Sequence, residues 1–256
     1  MTPRNTGIAM KAIGIIPARF ASSRFPGKPI SDICGKPMIW WVYETVKKIP
    51  QLDELVIAID DERIKEVCEK HSMRYIMTSS DHETGTDRVV EVSKTIDADL
   101  YVVIMGDEPL IKPEDVEVLI KSTFASNCAA SMLTTKFKDP VDVVNTTTIK
   151  IALNDEDEVI FMSRLPIPFP KSKIGYDYYK NIGAYAFKRE ALDVYDKTKK
   201  GRIEAAEDAE MLRLIERHLI VKAVVVDSDS MSVDTPKDLE RIRDIISNKN
   251  VKSHGK

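Results

Sequence analysis

A chain of 256 residues, 43% hydrophobic and 31% charged, suffices for one large α/β domain with a substantial core, or for such a domain plus a small lobe. Its net charge of −3 leaves no global basic surface for a nucleic-acid partner, so any nucleotide it handles must meet locally concentrated positive charge. Cys34, Cys68 and Cys128 are scattered with no CxxC pair, and His71, His82, His218 and His254 lack HxxxH spacing, which argues against a disulfide framework or a zinc site.

No apolar run approaches the ~20 residues that a membrane span needs, and Ile8 to Met10 is too short for the apolar part of a signal peptide. A soluble, cytoplasmic protein without a membrane partner is the expectation. Residues 1–10 read as a disordered leader and 248–256 as a flexible tail.

In chain order, the apolar run Ala12 to Ile16 has the pattern of a buried strand and leads into a polar loop from Pro17 to Pro29. Met38 to Ile49 reads as a helix, Leu55 to Ile59 as a second strand, Glu62 to His71 as a helix and Arg74 to Met77 as a third strand. Thr86 to Thr95 is helical in pattern, with Thr86 or Asp87 as its N-cap, and Leu100 to Met105 is a fully apolar strand. Strands alternating with helices at this spacing predict a parallel sheet covered on both faces. After Pro113 the pattern changes. Ala129 to Thr135, Thr148 to Leu153 and Val159 to Met162 are strand-like, and prolines cluster at Pro166, Pro168 and Pro170. Tyr176 to Phe187 alternates aromatic and small residues, like an irregular sheet segment. A helix over Ala206 to Arg217, a strand over Ile220 to Val226 and a closing helix over Pro236 to Ile246 complete the chain. The fold class is α/β: one doubly wound, mostly parallel domain over 11–247, with a small β-rich lobe inserted at about 130–190.

Ligands of open parallel sheets bind beyond the carboxyl ends of the strands, which directs attention to the loop after the first strand. It carries Arg19, Arg24 and Lys28, the hydroxyls of Ser22 and Ser23, and Gly27, with no acid among them. Such a loop suits a triphosphate: arginine grips phosphate oxygens through two donors, lysine acts as a point charge and backbone N–H groups complete the cradle. GxGxxG is absent, which argues against a nicotinamide oxidoreductase on a similar sheet. Walker A fails as well, because Lys28 is followed by Pro29 and Ser22 stands where the first glycine belongs.

The run IIPARFASSRFPGKPISDICGKPMI (15–39) resembles the opening of the CMP-Kdo synthetases, the 3-deoxy-manno-octulosonate cytidylyltransferases, which are relatives of the acylneuraminate cytidylyltransferases. The resemblance continues in order through Met77 to Arg88, Gly106 to Ile111, Ser163 to Pro168 and Val233 to Glu240. It implies transfer of CMP from CTP to a small 2-keto-3-deoxy sugar acid, with Mg2+ as cofactor, by a dimer formed through the inserted lobe.

Residue by residue, the resemblance assigns the CTP phosphates to Arg19, Ser23 and Lys28 on a loop that includes Pro17, Ala18 and Arg24. Ser80, Gly85, Thr86 and Arg88 belong to the segment that surrounds the cytosine and ribose. It makes Asp107 and Asp234 the magnesium ligands at the reacting phosphate, with Glu108 behind them. Hard carboxylate oxygens suit that ion. Asp234, ahead of Pro236, also reads as a simple helix N-cap, whereas an acid such as Asp107 at the end of a buried strand is costly unless partnered. The sugar side falls to Met105, Asn181, Tyr185, Glu210 and Met211. Most of the aromatic cluster Tyr176, Tyr178, Tyr179, Tyr185 and Phe187 reads as core or dimer contacts.

This sugar side departs from the pattern. The family typically reads Gln-Gly-Asp-Glu-Pro where Met105 to Pro109 stand, and His-Leu-Gly where Asn181 to Gly183 stand; Met211 falls where a further glutamine is expected. A thioether cannot bind a hydroxyl or carboxylate as an amide does. The acceptor therefore stays open between Kdo, a modified ulosonate and another acid. A non-catalytic CTP-binding protein and a nucleotidyltransferase using another base remain as rival readings.

Overall fold

The computed structural model describes residues 10–21, 25–172 and 175–253, with side chains described up to residue 248. Ser23 and Arg24 lie outside the described residues, as do 1–9 of the expected leader and 254–256 of the expected tail.

The strands are β1 (Ala12–Ala18), β2 (Asp32–Ile33), β3 (Lys36–Pro37), β4 (Glu54–Ile59), β5 (Tyr75–Met77), β6 (Leu100–Ile104), β7 (Ala130–Lys136), β8 (Lys150–Leu153), β9 (Val159–Ser163), β10 (Tyr179–Phe187) and β11 (Val221–Val225). The helices are α1 (Met38–Val46), α2 (Glu62–Lys70), α3 (Gly85–Thr95), α4 (Pro113–Ala125), α5 (Arg189–Lys197), α6 (Arg202–Glu207), α7 (Leu212–Ile215) and α8 (Pro236–Ser253). The main sheet runs β11-β7-β10-β6-β1-β4-β5. β1 pairs in parallel with both β4 and β6, β4 with β5, and β11 with β7, whereas β10 is antiparallel to β6 and β7.

Side-chain alternation explains why the central strands read as continuous apolar runs. In β6, Leu100, Val102 and Ile104 pack on one face with α1, α2 and α4, while Tyr101 and Val103 pack on the other with α3, α5 and α7. Neither face meets water, so no polar residue breaks the pattern. A third, smaller cluster seats α8 through Leu239, Ile242 and Ile246 against Ile33, Met38 and Val233.

Four differences from the sequence reading have physical causes. α4, which that reading lacks, opens with Pro113 at its first turn and buries Val116, Leu119 and Ile120, a spacing masked by Lys121, Ser122 and Thr123. The expected helix over 206–217 is two short helices, α6 and α7, broken where Asp208 adopts φ 48°, a left-handed conformation that aspartate tolerates better than most residues. α8 runs on through Ser253, past the expected end at Ile246 and into the stretch read as tail. In the stretch read as an inserted lobe, β7 and β10 are members of the central sheet. The part that extends beyond it is the β8–β9 hairpin, which hangs on β10 through β8.

Candidate functional site

From β1 the chain order moves outward through β4 and β5 on one side, and β6 lies on the other, so the crossovers diverge between β1 and β6. Ligands of open α/β sheets collect at such a switch point. A cleft of about 510 Å3 opens there, lined by Pro17 and Ala18 at the end of β1, by Arg19 and Lys28 on the loop that follows, by Met105, Gly106 and Asp107 after β6, and by Asp234. Thr146, Thr147, Arg164 and Asp208 also line it.

Lys28 is set by its turn. Gly27 takes φ 70°, a conformation open to glycine, and its N–H donates to Phe20 O at 3.0 Å, closing the loop just before the short 3-10 turn Lys28–Ile30. The Lys28 ammonium donates to Asp107 Oδ2 at 2.5 Å and to Val233 O at 2.9 Å. Val233 N in turn donates to Asp107 O at 2.9 Å. Three distant segments thus meet at one ion pair whose side chains are each less than one-fifth exposed. Here is the partner that the sequence reading required for Asp107.

Asp234 proves not to be the cap of α8. Thr235 Oγ1 accepts from Asp238 N at 3.3 Å and Asp238 Oδ2 accepts from Thr235 N at 2.8 Å, a reciprocal cap. α3 is capped in the same way by Thr84 with Asp87, rather than by Thr86 or Asp87 as its N-cap.

A second chamber of about 120 Å3 is lined by Met105 and Asp208, which it shares with the cleft, and by Gly85, Thr86, Tyr185, Glu210 and Met211. Its remaining walls are Val103, Ile149, Met162, Phe187 and Ala209. Gly85 and Thr86, expected on the nucleotide side, therefore line the same chamber as Met105, Tyr185, Glu210 and Met211, expected on the sugar side. Thr86 N donates to Glu210 Oε2 at 3.0 Å, placing a carboxylate at the N-terminus of α3, where the helix dipole favours it. Burial nevertheless raises the Glu210 carboxyl above its ordinary range.

Three of the assigned residues that are described line neither chamber. Ser80 is exposed on the turn before α3. Asn181 donates to Tyr185 Oη at 3.0 Å, so it bears on the chamber only by holding that hydroxyl. Arg88 is 2% exposed; its guanidinium donates to Thr78 Oγ1 and Ser79 O at 2.9 Å and pairs with Asp60 at 2.7 Å. Arg88 is thus an anchor within the protein: Asp60 Oδ1 also accepts from Phe20 N at 2.9 Å, which ties the pair to the basic loop. Replacing Arg88 with Met strands a buried carboxylate and should cost about 3–5 kcal/mol in urea unfolding. A loss under about 1 kcal/mol would show that the pair does not hold this corner.

Glu108 is buried and its carboxyl is pushed up to about 7, first by burial and then by the neighbouring Asp107 charge. It accepts from Gly183 N at 2.9 Å and from Ser230 Oγ at 2.6 Å. A Cβ on Gly183 would lie 2.8 Å from Glu108 Cγ and 3.0 Å from Met105 Cβ, so only glycine lets β10 approach here.

Sequence reasoning missed Asp60, Thr146, Thr147, Ile149, Met162 and Asp208. For Asp60, the signal was two acids directly after a buried strand, one more than the cap of α2 at Asp61 needs. Arg164 lay within a quoted motif but carried no role. Its guanidinium donates to Glu207 O at 2.9 Å and Asp208 O at 3.1 Å, closing the carboxyl end of α6.

Comparison with known proteins matches residues 13–222 to the family described as Cytidylyltransferase. The chain is 37% identical over 233 residues to a 3-deoxy-manno-octulosonate cytidylyltransferase of Escherichia coli, covering 91% of this chain and 95% of that protein. It is 38% identical to one from Zea mays, covering 97% of this chain and 85% of the other. A solved CMP:2-keto-3-deoxy-manno-octonic acid synthetase complexed with CTP superposes with a TM-score of 0.89 at 36% identity, over 93% of this chain and 99% of that one. A 4-diphosphocytidyl-2C-methyl-D-erythritol synthase from Anaerococcus prevotii, at 20% identity and a TM-score of 0.64 over 93% of this chain and 99% of that one, shares the fold.

Proposed function

The chain belongs to the cytidylyltransferase family, and on that premise we propose that it transfers CMP from CTP to a 2-keto-3-deoxy sugar acid of the Kdo type, releasing pyrophosphate. The observation that carries this reading is the ion pair of Lys28 with Asp107 at the switch point, in a cleft that also holds Arg19 and Asp234. A hydroxyl of the acceptor attacks the α-phosphorus, the α–β bridging oxygen leaves with pyrophosphate, and the hydroxyl proton is lost to solvent or to a basic group. Lys28 exchanges its carboxylate partner for phosphate oxygens as CTP enters, and Arg19 at the rim adds a second cation. Catalysis of this kind is alignment plus charge stabilisation, and needs no side-chain nucleophile.

The donor set fits magnesium. Among the described residues no group of three or more acidic, histidine or cysteine side chains is placed to hold a metal. Asp107 and Asp234 line one cleft, and magnesium characteristically takes one or two carboxylates with the rest from phosphate and water. When bound there, the ion would offset the charge on the reacting phosphate.

A homodimer in the cytoplasm accompanies this proposal. Leu165 and Phe169, exposed by 63% and 83% beyond the β8–β9 hairpin, offer apolar surface for such a contact. Among the described residues no helix is long and apolar enough to cross a membrane. A second reading of the acceptor, one that is less polar than Kdo, is favoured by Met105 and Met211 in the small chamber.

The test is a pyrophosphate-release screen with CTP, magnesium and a panel of 2-keto-3-deoxy sugar acids and other acids. Binding of CTP without release for any acceptor would favour a non-catalytic nucleotide binder. In the same assay Lys28→Ala should lower turnover at least tenfold, about 1.4 kcal/mol in the barrier. Wild-type turnover in that variant would remove Lys28 from the reaction.

A further inference from the structure

Lys150 is fully buried, and among the described residues no carboxylate forms an ion pair with it. Its ammonium instead donates to three backbone carbonyls: Asn145 O at 2.5 Å, Thr148 O at 2.8 Å and Arg164 O at 2.7 Å. A lysine ammonium has three N–H donors, so all its protons are placed. Burial pulls its pKa down, as expected of a cation stabilised by dipoles alone.

What the three carbonyls have in common is their place around the cleft. Asn145 and Thr148 bracket Thr146 and Thr147, which line the cleft from an exposed turn. Arg164, at the end of β9, lines it too. Ile149, the residue before Lys150, lines the small chamber. One buried ammonium therefore binds both ends of a surface turn to a strand end, and the wall it fastens reaches both chambers.

We infer that Lys150 is a positioning residue: its ammonium occupies a cage of three carbonyls and so holds the 146–149 wall in the shape that receives the acceptor. An exposed turn has little apolar burial of its own, so its geometry follows its hydrogen bonds. Within it, Thr147 N and Oγ1 donate to Asn145 Oδ1, and the Arg164 guanidinium donates to Thr146 O and Thr147 O at 3.4 and 3.2 Å, while the buried ammonium fixes both of its ends. Lys28 itself is held from a different part of the chain, by Asp107 and Val233, and saturating CTP offsets any weakening of the cleft that Lys28 and Asp107 share with Thr146 and Thr147. The expected signature is therefore a split, with the acceptor KM moving much more than kcat.

The experiment has an activity arm, which rests on the proposed reaction, and a spectroscopic arm, which does not. With the acceptor found by the pyrophosphate screen and saturating CTP, Lys150→Ala should raise the acceptor KM at least tenfold and change kcat less than threefold. Propylammonium replaces the lost chain and its three N–H donors, and at tens of millimolar should bring KM back towards wild type. Tetramethylammonium, equally charged but without donors, should not. An acceptor KM within twofold of wild type, or a raised KM that propylammonium leaves unchanged, would overturn the inference. The second arm records the lysine side-chain ammonium region of the 1H–15N spectrum of the wild-type protein. A slowly exchanging signal that disappears in Lys150→Arg is expected; its absence sinks the cage even if Lys150→Ala cannot be folded. Should wild type release no pyrophosphate with any acceptor, the functional reading fails and the spectrum alone decides the role of Lys150.

Discussion

Asp107→Asn should keep the fold and lower turnover at saturating CTP by roughly a thousandfold, about 4 kcal/mol in the barrier. The fold survives because the side chain is only part-buried and asparagine retains a carbonyl oxygen for the Lys28 ammonium. What is lost is the negative charge. Without it Lys28 is unopposed before the nucleotide arrives, and one of two carboxylates suited to a hard cation has gone. Thermal unfolding near wild type together with collapsed pyrophosphate release is the expected pair of measurements. Near-normal turnover in this variant, or full wild-type activity after exhaustive chelation, would remove the metal role assigned to Asp107 and Asp234.

The other large effect concerns specificity. Met105 and Met211 line the same small chamber, and Met211 is 3% exposed. A polar acceptor group buried against either thioether goes unpaired, at about 1–3 kcal/mol for each such group. Two such losses lower kcat/KM for Kdo by about two to four orders of magnitude if they add. Met105→Gln, and more strongly Met105→Gln with Met211→Gln, should therefore raise kcat/KM for Kdo at least tenfold at fixed CTP and magnesium. The new amides would share the chamber with Tyr185 and Glu210, which offer both a hydroxyl and a carboxylate. If wild type already uses Kdo efficiently, or if the glutamines weaken it, the apolar chamber is not selecting against Kdo and the enzyme is an ordinary CMP-Kdo synthetase in its acceptor choice.

The two sides of the site differed in how far the sequence revealed them. Lys28, Asp107 and the β1 loop stood out because their chemistry is local: an acid-free basic loop after one buried strand and an unexplained acid after another. The small chamber is assembled from β6, β9, β10, the start of α3, the turn before β8 and the break between α6 and α7; no spacing rule links those pieces, and only the resemblance had grouped Met105, Tyr185, Glu210 and Met211. Arg88 misled for a related reason. A cation beside a presumed nucleotide segment looks like a ligand until Asp60, 28 positions earlier, proves to be its partner. α4 was lost to polar residues within its apolar spacing, and Asp208 broke a helix that its neighbours would have continued. Tertiary contacts decided Arg88 and the small chamber, whereas Asp60 and Pro113 each carry a local signal, a second acid after a buried strand and a proline at a first helical turn.

The position of β10 also bears on how the molecule is made. It lies between β6 and β7 in the sheet, yet follows both in the chain. While the polypeptide is being synthesised, β1, β4, β5 and β6 can pair with one another, but the outer edge of β6 has no neighbour until residues 179–187 emerge. At about 5–20 residues per second that interval is roughly 4–15 s. A bare edge invites pairing with other chains. For those seconds the nascent protein carries an open apolar edge that, once β10 is in place, lies beneath the small chamber walled by Val103, Met105, Tyr185 and Phe187.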